Sequence, residues 1–511
     1  MTDPDSGPGF GQPTTPGPPA GPPRIRFAPA ASAPLHVTDV RTALYAWALA
    51  RHTGGTFVLR IADTNQSPET ADYAAAIQET LHWLGLAWDE GPDQGGPFGP
   101  CRQSERIGLY HQVAQQFLDT GQAYWCYCTP EELQGRREAE AAPAAGAPVA
   151  EAPAADYDRY CRTLTPQQAE TYLAEGRQPV LRFRMPDGAT TFTDLARGPI
   201  TVEHRDVPDF VLMRGDGHPL PTLVTAVDDA AMRITHVIRD EAMLPFTPRQ
   251  IAVYRAMGLP EDQFPAFAHL PRILGADQQT LTRHNGVTSI EVYRREGYVP
   301  EALVNYFALL GWSPGEGRED FGLDELVGGF DLTGLRTDPV PFDPVRLEAV
   351  NGAKIRGLTP ADFARRIVPF LAQVGLVTEP LSSDQMWFIR QGAPLIQDQL
   401  TRLTEAPDLL AFLLVPESGF TVRAEDAAVL TPDAAPQLKA AADALAALPE
   451  WTAAAIGPAL DSGPDSALAP VAVAVTGRRA APPLPEALEL LGRDRALARL
   501  AAAESAAPTA H

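Results

Sequence analysis

Lysine is almost missing from this chain: of 41 lysine and arginine residues, lysine occurs only at Lys354 and Lys439. No chemistry before Lys354 can therefore rest on a side-chain ammonium. Cationic contacts there fall to arginine, a planar fork rather than a compact point charge. A GC-rich genome that favours arginine is the expected source of most of the shortage. Cysteine is scarce as well, with Cys101, Cys126, Cys128 and Cys161 in 511 residues. That number excludes a disulfide scaffold, and the Cys126-x-Cys128 spacing suits a metal site better. The first residues lack the basic start and apolar run of a signal peptide. Apolar runs such as "PVAVAV" from Pro470 are far too short to cross a bilayer. A cytoplasmic protein without a membrane partner is expected, as a monomer. Net positive charge is missing too. The formal charge is -23, so a polyanion must find a local basic surface.

What is present is ordinary for a globular protein, with 45% apolar and 21% charged residues. The length suggests roughly three to five units. Residues 1–23 form a Pro/Gly tail too poor in apolar side chains to fold. Order is expected from "RIRFA" at Arg24, read as a strand. "ALYAWALARHTG" (43–54) reads as a helix stopped by glycine, "GTFVLRIAD" (55–63) as a strand and "ETADYAAAIQETLHWLGL" (69–86) as an amphipathic helix. This alternation predicts a parallel sheet with crossover helices. An Ala/Pro-rich stretch, 138–156, reads as a flexible insertion. Strand patterns resume at "VLRFRM" (180–185) and "DFVLM" (209–213), and "MRITHVIRDEAM" (232–243) reads as a buried strand leading into a helix. From about residue 345 the pattern is helical with short loops, as in "TPADFARRIVPFLAQVG". The fold class expected is α/β followed by all-α.

Several ordered segments carry a resemblance. They include "RFAPAASAPLHVTDVRTAL", "GPCRQSERIGLYHQVAQQFLDTGQAYWCYCTPEEL", "THVIRDEAMLPFTPRQ", "ILGADQQTLTRHNGVTSIEVYRREGYVPEALVNYFALLGWSP" and "VNGAKIRGL". Together they resemble the bacterial glutamyl-tRNA synthetases, from about Arg24 to about Ala503. The resemblance implies a class I synthetase: a Rossmann-like catalytic domain in two halves (24–105 and 206–255) with an inserted acceptor-binding domain (106–205). A stem-contact region (256–344) and helical anticodon-binding domains (345–430 and 431–511) follow. It implies ATP-dependent ligation of glutamate to tRNA of the Glu or Gln type through a glutamyl-adenylate. ATP with Mg2+ is the implied cosubstrate and Zn2+ an implied structural metal.

The site residues follow from matching motifs. His36 matches the first histidine of the ATP loop, whose helix N-terminus is a natural phosphate site. The loop continues Thr38-Asp39, where relatives have small residues or histidine. A carboxylate beside a triphosphate costs about 1 kcal/mol or more at contact distance. The mobile second ATP element matches Thr280, Leu281, Thr282 and Arg283, with Arg283 keeping a charge and Thr280 replacing a lysine. Arg26 and Arg239 match arginines of the amino-acid pocket, Arg26 being expected to meet the substrate's side-chain carboxylate. Asp63 remains beside Ala62, which replaces an acidic residue, and Pro221 replaces a tyrosine. Cys126, Cys128 and Cys161 match three zinc ligands, with Thr163 at the usual fourth position. Gln399 falls where relatives carry an anticodon-reading arginine. Three readings stay open: a working glutamate–tRNA ligase, a synthetase-derived protein that binds tRNA or a partner without making the adenylate, and a relative acting on another amino acid or acceptor.

Overall fold

A computed structural model describes residues 22–141, 157–282, 289–315, 317–461 and 468–506. In chain order its strands are β1 (Arg24–Phe27), β2 (Thr56–Leu59), β3 (Ala123–Cys126), β4 (Val180–Phe183), β5 (Ala189–Asp194), β6 (Gly198–Glu203), β7 (Val211–Met213), β8 (His236–Asp240), β9 (Ala266–Leu270), β10 (Ile273–Leu274) and β11 (Val340–Pro341). The chain divides into two units. One runs to Glu291 and includes Val304–Asp343; the other joins Val292–Leu303 to the residues from Pro344 onward.

In the first unit a six-stranded sheet has the order β2-β1-β8-β9-β5-β6. All its pairs are parallel except β5 with β6. Parallel neighbours need a crossover, and helix α1 (Val37–His52) supplies it between β1 and β2. This helix is buried on nearly every side, from Val40 and Arg41 to Leu49 and Ala50, as suits its run of alanine and large apolar residues. It begins six residues before the expected start at residue 43. The cause is an uncommon cap: the His36 ring accepts the Thr38 N–H at 3.1 Å, and the Asp39 carboxylate accepts the His36 N–H at 2.9 Å.

A second, antiparallel sheet has the order β3-β4-β7. Its floor is Phe183, which stacks on Phe210 at 5.1 Å and meets Phe117 of helix α3 (Ile107–Asp119) edge-on at 5.8 Å. The sheets do not follow the expected sequence boundaries. β5 and β6 fall inside 106–205 yet lie on the large sheet, whereas β7 falls beyond 205 and joins the small one. The reason is side-chain alternation: Thr190, Phe192 and Asp194 of β5 are buried on one face. Phe192 packs on Phe267 of β9, and Asp194 accepts the backbone N–H of His269.

The second unit is helical, as expected. The helix Pro360–Gln373 is capped by Thr359, whose hydroxyl accepts the Asp362 N–H, and it buries Phe363, Ile367 and Leu371 at four-residue spacing. Ser382 and Gln385 close a reciprocal cap on the helix Ser383–Ile396. Both helices contribute to one apolar core with Leu438, Val471, Leu488 and Leu500. Among the described residues no helix is long and apolar enough to cross a membrane.

Candidate active site

The chain leaves β1 toward β2 on one side and later returns with β8 on the other. Strand order thus reverses at β1, and in open parallel sheets the crevice at the carboxyl ends beside such a reversal is the usual ligand site. His36 sits just beyond β1 in this region, Ala62 just beyond β2, and Arg239 near the end of β8.

At the α1 N-terminus the helix dipole and free N–H groups favour an anion. The sequence supplies one itself, because the Asp39 carboxylate is held in the cap. Thr38 adds a hydroxyl 2.9 Å from His36 Nδ1. His36 is buried, at 2% exposure.

Beside β8 a cavity of about 430 Å3 is lined by Arg239 and Gln250 together with Phe210, Pro221, Met243 and Phe246, among others. Its size suits a small ligand. Arg239 is held from behind by neutral partners: its guanidinium donates to His269 Nε2 at 3.1 Å, Gln250 Oε1 at 3.0 Å and Thr247 Oγ1 at 2.7 Å. Burial, with Arg26 nearby, pulls its pKa down to about 10, which leaves it charged at neutral pH. His269 Nδ1 lies 2.6 Å from Asp194 Oδ2. Nδ1 therefore carries the proton, and Nε2 is free to accept from Arg239.

Arg26 and Asp63 do not line this cavity. Arg26 is turned onto Asp229, with Nε 3.2 Å from Oδ1. Asp63 accepts from the Ser104 backbone and hydroxyl at 2.8 and 2.9 Å, tying the end of β2 to the turn Gln103–Arg106. The second ATP element is described only in part. Thr280 bridges to Leu274, and the Leu281 N–H donates to Ile273 at 2.7 Å; Arg283 lies outside the described residues.

The cysteines form a separate group on the small sheet. The sulfurs of Cys126, Cys128 and Cys161 all lie within 4.8 Å of one another. Hydrogen bonds from Cys128 and then Cys161 hold the Cys126 thiol well below the ordinary thiol range. Tyr157 Oη is 3.4 Å from Cys126 Sγ and accepts the Cys161 N–H at 3.0 Å. Structural zinc wants four donors; three thiols stand together here, and no fourth cysteine, histidine or carboxylate joins them among the described residues. In the helical unit Gln399 is exposed, and its amide donates to the Leu395 carbonyl at 3.1 Å.

Several participants were not anticipated. Arg60, Arg106, Gln250 and His269 all support the site, and Tyr157 adjoins the cysteines. For Arg60 and His269 a signal existed: each is a charged or titratable residue inside an apolar strand pattern, "FVLRI" and "AFAHL". Such a residue must find partners when the strand is buried on both faces.

The model for the class I tRNA synthetase (E and Q) catalytic domain matches residues 23–348, and that for an anticodon-binding domain matches 362–504. The chain therefore belongs to the class I tRNA synthetases of the E and Q group. Within that group it is a member of the glutamate–tRNA ligase family. It is 42% identical to the glutamate–tRNA ligase of Nocardioides sp., over 94% of this chain and 98% of that one. It is 44% identical to that of Rhodococcus jostii, over 94% and 98%. Among solved structures, a glutamate–tRNA ligase of Elizabethkingia meningosepticum in complex with its amino acid is 28% identical, with a TM-score of 0.77, over 96% of this chain and 100% of that chain.

Proposed function

We propose that the protein joins glutamate to the terminal ribose of a tRNA, using ATP with Mg2+ in the crevice beyond β1 and glutamate in the cavity at Arg239. The glutamate α-carboxylate attacks the α-phosphate of ATP and pyrophosphate leaves; a hydroxyl of the tRNA's terminal ribose then takes the acyl group from the adenylate and AMP is released. Such a reaction asks mainly for positioning and for groups that stabilise negative charge. Arg239, fixed by three hydrogen bonds, supports this reading best, because it is a rigid cation in a cavity at the strand reversal. His36 and the adjoining helix N-terminus serve the nucleotide, joined by Leu281, Thr282 and Arg283 of the second element. The three cysteines would hold zinc as a structural clamp, with water as the fourth donor.

One observation favours a second reading, a protein that binds tRNA or a partner without making the adenylate. The Asp39 carboxylate occupies the end of α1 that a phosphate would use. ATP–pyrophosphate exchange dependent on glutamate, with purified tRNA present, decides between them. Exchange supports ligation. Its absence in wild type, with exchange gained by Asp39→Gly, supports the second reading and names Asp39 as the block.

A further inference from the structure

Arg239 on β8, His269 on β9 and Asp194 at the end of β5 lie on three neighbouring strands, and Arg239 stands opposite His269 in the sheet register. Side chains join them in one line. Arg239 Nε donates to His269 Nε2 at 3.1 Å, and His269 Nδ1 donates to Asp194 Oδ2 at 2.6 Å. Both His269 and Asp194 are buried, and neither is among the described residues that line the cavity. Three backbone N–H groups also point at Asp194: those of Ala196 and Arg197 at Oδ1, and that of His269 at Oδ2. Surrounded by donors, the carboxylate acts only as an acceptor.

The bond that one ring nitrogen makes sets the role of the other. With the proton on Nδ1, Nε2 is the acceptor that the Arg239 Nε–H requires. A proton on Nε2 would set two donors against each other, and a buried donor without an acceptor is costly. We propose that Asp194 is a positioning residue for the amino-acid site: by holding the His269 tautomer, it keeps the Arg239 guanidinium aimed at a carboxylate of the ligand. This rests on the cavity being the glutamate site. Asp194→Asn tests it, because two fixed N–H groups, of Ala196 and Arg197, keep the amide oxygen on their side. The amide NH2 then faces Nδ1, which must accept, and the ring proton moves to Nε2.

Nitrogen NMR of the full chain labelled at histidine reads the tautomer, and calorimetric titration with L-glutamate, purified tRNA present, reads the affinity. Wild-type His269 should carry its proton on Nδ1 near neutral pH; a proton on Nε2 overturns the proposal. In Asp194→Asn the proton should move to Nε2 and glutamate affinity should fall about tenfold or more. An unchanged affinity, or a fall with the tautomer unmoved, overturns it. Adding His269→Gln, whose amide carbonyl can stand in the place of Nε2, should restore most of the affinity; no restoration counts against the proposal. The charged groups around the ring are Asp194 and Arg197 from the end of β5 and Arg239 from β8, with neutral Thr247 beside Nε2. Burial holds the ring's pKa below its ordinary value, and protonation puts a donor on Nε2. Wild-type affinity should therefore fall from about pH 7 to about pH 5. Asp194→Asn should show less of this fall, and an equal fall counts against the proposal. If Asp194→Asn does not fold, His269→Gln should bind glutamate at least about tenfold better than His269→Leu, and equal affinities overturn the proposal. A wild type that binds no glutamate sinks this proposal and the ligase reading together; binding without pyrophosphate exchange sinks the ligase reading alone.

Discussion

Arg60 has no solvent exposure, and its guanidinium lies 2.8 Å from Asp229 and 3.6 Å from Asp228. The two aspartates in turn take Arg106, Gln103, Tyr110, Arg26 and Gln250, and Gln250 also receives Arg239. Arg239, which lines the cavity, is thus the outer member of a buried polar network whose geometry is fixed from within. His269 is the member that titrates nearest to neutral pH. Burial holds its imidazole below the usual value of 6.5, and burial acts on His236 in the same direction. Because the folded pKa is depressed, the neutral ring's contribution to stability is fully present above pH 6.5 and is lost as pH falls through the folded value. Once protonated, Nε2 could no longer accept from Arg239. Thermal melts should therefore fall between about pH 7 and pH 5. His269→Asn should show a smaller fall, with the His236 share remaining. An identical acid profile in the variant would remove His269 from this role.

Among the elements, the last helix shows how a helical unit can be fastened by charge. Arg495 and Arg499 of the helix Arg493–Ala506 both donate to Glu417, at 2.6 to 3.0 Å. Arg499 also reaches the carbonyls of Val475 and Phe412, so one side chain joins three segments. The hydrogen bond from Arg499 is the main cause that holds the Glu417 carboxyl down at about 2. Its contribution is present above the ordinary value of 4.5 and lost as pH falls toward about 2. The Glu417 side chain is 44% exposed, so water screens the pair and Glu417→Gln should cost about 1 kcal/mol or less at neutral pH. The gap between variant and wild-type melts should close on acidification; a constant gap would assign the loss to packing. The cap of α1 acts at the same scale. Asp39 favours the helix and, by the same charge, disfavours a phosphate there.

For the whole molecule the net charge of -23 sets the condition for any RNA partner. The average field repels a polyanion, so binding must come from clustered arginines whose phosphate contacts release counterions. Affinity for tRNA should fall by at least about tenfold between roughly 50 and 200 mM salt. Anisotropy of labelled tRNA measures this, and a flat salt response would exclude phosphate contacts as the main source of affinity.

The succession of α/β and helical halves was legible from periodicity, because core-facing apolar spacing is a local property of each segment. The family was legible in motifs such as "RQSER" and "THVIR". Partnership was not. Arg26 and Asp63 read as ligand contacts by motif, yet they meet Asp229 and Ser104, 203 and 41 residues away. The sequence by itself determined which segments form helices and strands, where cations could come from and which chemistry the motifs belong to. Only the tertiary structure decided which charges cancel each other and that Arg239 faces a cavity. Charge pairing depends on distances across strands far apart in the chain, and no local pattern encodes those distances.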